Sequence, residues 1–157
     1  VDPLIQKQAD CISVMTYNEY WQLIGAGYPP VDLIVFNYSE MGVDLLEDGL
    51  YAMEDDLADP EFADKMVRFV SASMKGWKYA IENPDEAAEI VMENGGQDEN
   101  HQKRMMGEVA KLIGEPDAKL IEAAYERTAQ ALLDQNIIEN EPEGAWTSDI
   151  TDKVTVE

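Results

Sequence analysis

With 157 residues and 45% apolar composition, the chain can build one ordinary domain with a core, and it lacks the makeup of a disordered segment. The 33 acidic residues against 11 basic ones give a net charge of −22, a field that repels nucleic acid and anionic lipid and argues against both as partners. One cysteine, Cys11, and one histidine, His101, exclude a disulfide framework within the chain and leave a Cys/His zinc site short of ligands.

The acidic excess is dispersed over helix faces and turns, which reads as a solvated coat. No run reaches the roughly 20 apolar residues that a bilayer crossing requires, so direct membrane insertion is not expected. No signal peptide is visible, and the opening Val1-Asp2-Pro3-Leu4-Ile5 reads like the middle of a protein. An amino-terminal portion, together with any export signal, is therefore expected upstream.

In chain order, Pro3–Ala9 reads as a short helical piece. Cys11–Met15 is a short apolar run with Ile12 and Val14, which predicts a buried strand and a buried, inert Cys11 thiol. Glu19–Ala26 predicts a helix stopped by Gly27. After the turn Tyr28-Pro29-Pro30, the segment Asp32–Tyr38 carries Leu33, Ile34, Val35 and Phe36 and predicts a second buried strand. Strand, helix, strand at this spacing implies a parallel sheet. Ser39–Asp48 reads as a connection and Gly49–Met53 as a short third strand.

Helices follow. Asp59-Pro60-Glu61 is a helix start, with Asp59 as N-cap, proline at the first position and an acid in the first turn. Phe62, Met66, Phe69, Val70, Met74, Trp77 and Ile81 form one apolar stripe down to Asn83, where Pro84 ends the helix. Asn83 caps the next helix, with Glu86 spaced for a capping box, and Asn94-Gly95-Gly96 stops it. A third helix covers Asn100–Ile113 and a fourth, capped by Asp117, runs from Ala118 to about Gln135. The tail, Asn136–Glu157, is mixed, with Trp146 as a packing anchor. The fold class expected is therefore α/β: a small parallel sheet piece plus a block of four helices. A sheet of two or three strands is too small to cover its helices, which again implies a missing partner segment.

Several phrases carry a family resemblance. Ala9-Asp10-Cys11-Ile12-Ser13-Val14-Met15-Thr16-Tyr17-Asn18-Glu19 resembles a second-lobe strand of the thiamine-pyrimidine-synthase-like branch of the solute-binding proteins. That branch is related to the binding proteins for nitrate, sulfonate, taurine and riboflavin. Glu47-Asp48-Gly49-Leu50-Tyr51 resembles the strand that returns to the first lobe. Arg68–Ala80, followed by Asn83-Pro84-Asp85-Glu86-Ala87-Ala88, resembles the helical return segment, and Glu143-Gly144-Ala145-Trp146-Thr147 the closing motif. The resemblance runs in order over almost the whole chain.

This resemblance implies a partial periplasmic-binding-protein type II fold, the carboxy-terminal half only. Residues 1–41 would belong to the second lobe, 42–48 to a crossover with Gly42 as hinge, and 49–157 to the return into a mostly helical first lobe. It also implies an ABC permease as partner and a periplasmic or membrane-tethered extracellular location.

Ligands of open α/β sheets sit beyond the carboxyl ends of strands. That places Thr16, Tyr17, Asn18 and Glu19 at one mouth and Asn37, Tyr38, Ser39 and Glu40 at another. Tyr17 or Tyr38 would stack on a flat heterocycle, Asn18 and Ser39 would bond its edge, and Glu19 or Glu40 would accept from a ring amine. The plainer reading is that these are loop residues capping helices, with Glu19 a first-turn acid. No arginine or lysine lies between Lys7 and Lys65, so unpaired carboxylates here would repel a sulfonate or nitrate. A neutral or amine-bearing solute, such as a thiamine-related pyrimidine, is expected.

Trp77, Tyr79 and the methionine stripe are expected in the core rather than at a ligand, and His101 in the open. No cofactor or metal is expected. The related pyrimidine synthases depend on histidine and a cysteine-rich motif. A lone Cys11 and a lone His101 on different elements assemble no nucleophile–base pair, so a binding protein is expected rather than an enzyme. A non-catalytic helical interaction module is the remaining alternative.

Overall fold

The computed structural model describes residues 1–96 and 98–156, and every described element is a helix. In chain order these are α1 (Asp2–Ile5), α2 (Glu19–Gly25), α3 (Glu54–Leu57), α4 (Pro60–Glu82), α5 (Pro84–Gly95), α6 (Glu99–Ile113) and α7 (Glu122–Asp134). Two 3-10 turns, Pro30–Asp32 and Thr151–Lys153, complete them.

The helix boundaries have local causes. At the start of α4, the Asp59 carboxylate accepts a hydrogen bond from the Glu61 amide at 3.0 Å. The α2 helix ends in a Schellman motif: Tyr28 N–H donates to the Leu23 carbonyl and Gly27 N–H to that of Ile24, both at 3.1 Å. Gly27 supplies the positive φ, +96°, that this motif needs. The α7 helix ends the same way on Asn136 at φ 55°, with Ile137 donating to Leu132 and Asn136 to Leu133. Asp98 caps α6, accepting from the His101 amide at 3.0 Å.

The expected α/β class is overturned, because there is no strand, and so no parallel sheet piece, among the described residues. Cys11–Met15, the 33–37 run and Gly49–Met53 carry no regular structure. Much of their apolar surface faces solvent, with Ile34 86% exposed and Tyr51 87%, while Ile12, Val14 and Leu33 are half-buried. A strand is stable only when a neighbour takes up its backbone N–H and C=O groups and a layer covers its face. Apolar, β-branched residues supply propensity without supplying that neighbour. Cys11 is likewise exposed rather than buried.

Two smaller expectations also change. Asn83 makes no side-chain cap to α5, so the capping box with Glu86 does not form; its amide instead donates back to the Tyr79 carbonyl at 3.0 Å. The fourth helix starts later than Ala118, which sits at φ +59°, and Asp117 closes a local turn onto the Lys119 amide.

The chain divides into two compact units. The first comprises Val1–Ile34 and Gly76–Pro116 and holds α2, α5 and α6; α6 packs against both of the others. Its buried residues are Leu23, Ala87, Ala88 and the polar Gln102. The second comprises Val35–Lys75 and Asp117–Glu157 and holds α3, most of α4, and α7, with Val70, Ala124 and Ala129 buried. Alanines are half of the first set and two of the three residues in the second, so these buried side chains exclude little apolar surface. The α4 stripe is only partly covered, with Val70 buried but Phe69 and Trp77 exposed. Tyr79 is exposed as well, so Trp77 and Tyr79 are not the core residues expected.

Candidate functional site

The turn ahead of α2 and the first turn of α6 meet in the first unit. Thr16, Tyr17 and Asn18 form the turn, and Glu19 opens the helix. The Glu19 carboxylate reaches back so that one oxygen accepts from the Met15 amide at 2.9 Å. Its other oxygen accepts from the Asn18 side-chain amide at 3.3 Å. A carboxylate in a first helical turn also gains from the helix dipole. The Asn18 carbonyl oxygen in turn accepts from Gln22 Nε2 at 3.1 Å and lies 2.9 Å from His101 Nε2. Because that oxygen can only accept, the bond requires the His101 proton on Nε2.

The result is a half-buried polar cluster of Asn18, Glu19, Gln22 and His101. An aromatic wall adjoins it. Tyr20 and Trp21 meet edge to face with ring centroids 5.2 Å apart, and the Arg104 guanidinium lies 4.5 Å from the Trp21 ring centre. The Trp21 indole N–H is buried and has no hydrogen-bond acceptor among the described residues. Lys103, the neighbour of Arg104, ties α6 to α5 by bridging Glu99 at 2.9 Å and Asp85 at 3.4 Å. These two carboxylates, Glu99 through its hydrogen bond first and Asp85 through its charge, hold the Lys103 ammonium above the ordinary lysine range.

The second set lies in the other unit. Tyr38, Ser39 and Glu40 sit in an exposed turn closed by Asn37, whose carbonyl oxygen accepts from the Ser39 amide at 3.2 Å and the Ser39 hydroxyl at 2.8 Å. Asn37 also donates to Glu40 at 3.4 Å, and Val43 N–H donates to the Tyr38 carbonyl at 2.9 Å. Gly42 ends the turn at φ +77°, a conformation that glycine reaches without strain. With no sheet among the described residues, both sets are turns rather than strand tips.

Sequence reasoning named Asn18 and Glu19 as candidates but not the residues of α6 that meet this turn in the structure. His101 was expected in the open and is instead half-buried against Asn18, 83 positions earlier in sequence. Arg104 places a cation beside Trp21, although no basic residue lies near Trp21 in sequence. The available signal was the helix start at Asp98-Glu99, which sets His101 and Arg104 three positions apart and on neighbouring parts of one helix face.

A family model described as NMT1/THI5 like matches residues 1–87, more than half of the chain and all of α2 with its preceding turn. The chain belongs to the NMT1/THI5-like family. That family covers solute-binding proteins of ABC importers and related pyrimidine synthases. No curated protein and no solved structure gives a significant match. Among the described residues, no helix of this NMT1/THI5-like chain is long and apolar enough to cross a membrane. No group of three or more histidine, cysteine or acidic side chains there could hold a metal ion.

Proposed function

We propose that this NMT1/THI5-like chain is part of the solute-binding component of an ABC importer. It captures a small heterocycle and passes it to a membrane permease from the periplasm or the outer face of a cell. The observation that carries this reading is the Asn18–Glu19–Gln22–His101 cluster beside an aromatic wall; Asn18, Glu19 and Gln22 lie inside the segment that matches the family, and His101 lies beyond it. Binding sites for small molecules pair a few fixed polar groups with apolar or aromatic surface. Here Tyr17 or Trp21 supplies a ring for stacking, and Asn18 supplies an edge whose second amide N–H remains for a ring nitrogen, the first being given to Glu19. Thr16 and Glu19 flank that edge. The turn Tyr38-Ser39-Glu40 offers a second set of similar chemistry, and Gly42 is the proposed hinge, at which closure on the solute would favour the form that docks on the permease.

A neutral or amine-bearing pyrimidine is the proposed solute. Arg104 offsets some negative charge next to Trp21, but the net charge of −22 still disfavours an approaching sulfonate or nitrate. Binding is proposed over catalysis because His101 pairs with an amide, Asn18, which neither activates a nucleophile nor raises the basicity of the ring as a carboxylate would. Calorimetric titration with an aminopyrimidine tests the reading. Formation of a pyrimidine from pyridoxal phosphate or histidine by the pure protein would replace it with the synthase alternative.

A further inference from the structure

In the second unit, one face of α7 and the segment 141–146 line a half-open pocket of about 210 Å³. Ala129 and Pro142 form part of its wall, with Ala129 only 8% exposed. Tyr125 and Trp146 line it too, their ring centroids 6.2 Å apart and their planes tilted by 56°. Two rings at that separation pack against each other, and a cationic headgroup in the pocket beside the pair would come within about 6 Å of a ring centre, the range over which a ring quadrupole attracts a cation. Glu122, Glu126, Glu141 and Glu143 complete the lining, which contains no basic residue. None of the four forms an ion pair among the described residues.

The chemistry of the occupant follows from three facts. The electrostatics select a cation. The acids do not gather as a metal cluster among the described residues, and aromatic walls do not suit a small hydrated ion, which needs oxygen ligands. The cavity is smaller than the roughly 300–1,000 Å³ that surrounds a drug-sized ligand, so it fits a headgroup.

We propose that the Tyr125–Trp146 cavity is a binding site for an alkylated ammonium group, such as the trimethylammonium of a small amine. The two rings contact the methyl groups, and the four carboxylates set the charge preference without a direct ion pair. This site is separate from the Asn18 cluster, and each can fail without the other.

The test is calorimetric titration of the full chain with choline chloride, against its neutral isostere 3,3-dimethylbutan-1-ol and against potassium chloride at matched ionic strength. Choline is expected to bind saturably, with the isostere and potassium weaker by roughly tenfold, the scale of a desolvated cation–π contact. Tyr125→Leu is expected to lose the same factor. If that variant fails to fold by circular dichroism, the exposed pair Glu141→Gln and Glu143→Gln replaces it and should weaken choline several-fold. Absence of saturable choline binding, equal binding of the isostere or potassium, or choline affinity unchanged in the folded variant overturns the proposal. The aminopyrimidine titration does not involve Tyr125, so the two outcomes are read independently.

Discussion

His101 Nε2 lies 2.9 Å from the Asn18 carbonyl oxygen, a bond that joins the first turn of α6 to the turn ahead of α2. Replacing Asn18 removes more than one partner, because the same oxygen also accepts from Gln22 and the same amide donates to Glu19. Asn18→Ala should therefore destabilise the chain by about 1–2 kcal/mol, the cost of leaving half-buried donors unmatched. His101→Ala alone should cost less, and the double variant should fall short of the sum by about 0.5–1.5 kcal/mol. Urea unfolding of the four proteins measures this; additive losses would mean that the two side chains do not interact.

Leu23 is the largest well-buried side chain of the first unit, at 3% exposure on α2. Leu23→Ala should cost about 2–5 kcal/mol. Val91, on α5 and 44% exposed, supplies the contrast: Val91→Ala should stay within about 0.5 kcal/mol of the parent protein. Thermal or urea melts distinguish the two.

How far the fold could be read from sequence depended on whether its determinants were local. Asp59-Pro60 and Asn83-Pro84 mark the starts of α4 and α5, and Gly27 stops α2, because caps, proline and left-handed glycine act within one turn. The segments read as strands failed for the opposite reason. A run such as Leu33–Phe36 states a preference, while a ladder requires a neighbour that no local pattern names. The candidate site divides similarly. The place of Asn18 and Glu19 at a helix start was legible, whereas the contacts of His101 with Asn18 and of Arg104 with Trp21 depend on the packing of α6 against α2.

Backbone sign provides a paired test in the second unit. Gly42 holds φ +77° with nothing within 4 Å of where a Cβ would stand. Gly42→Ala should thus destabilise through strain alone, by about 1–2 kcal/mol. Ala118 already bears that strain at φ +59°, so Ala118→Gly should be neutral or stabilising by up to about 1 kcal/mol. Denaturation midpoints moving the other way at either position would contradict these conformations.

Lys103 gives a pH dependence with a definite sign. Its proton is held more tightly in the folded chain, first by the hydrogen bond to Glu99 and then by the charge of Asp85. The associated stability is fully present below the unfolded lysine pKa and is lost as pH rises through the higher folded value. Titration of the Lys103 side-chain resonances should give a midpoint above the ordinary lysine value, and Glu99→Gln should lower it. An unchanged midpoint in Glu99→Gln would remove Glu99 as the cause.

The most direct measurement of the solute-binding account is calorimetric titration of the chain with 4-amino-5-hydroxymethyl-2-methylpyrimidine, beside taurine and nitrate. Saturable binding of the pyrimidine, weakened roughly tenfold or more by Asn18→Ala as expected for a lost ligand hydrogen bond, with neither anion competing, is the predicted result. Tight binding of taurine or nitrate, with no response to the pyrimidine, would contradict it.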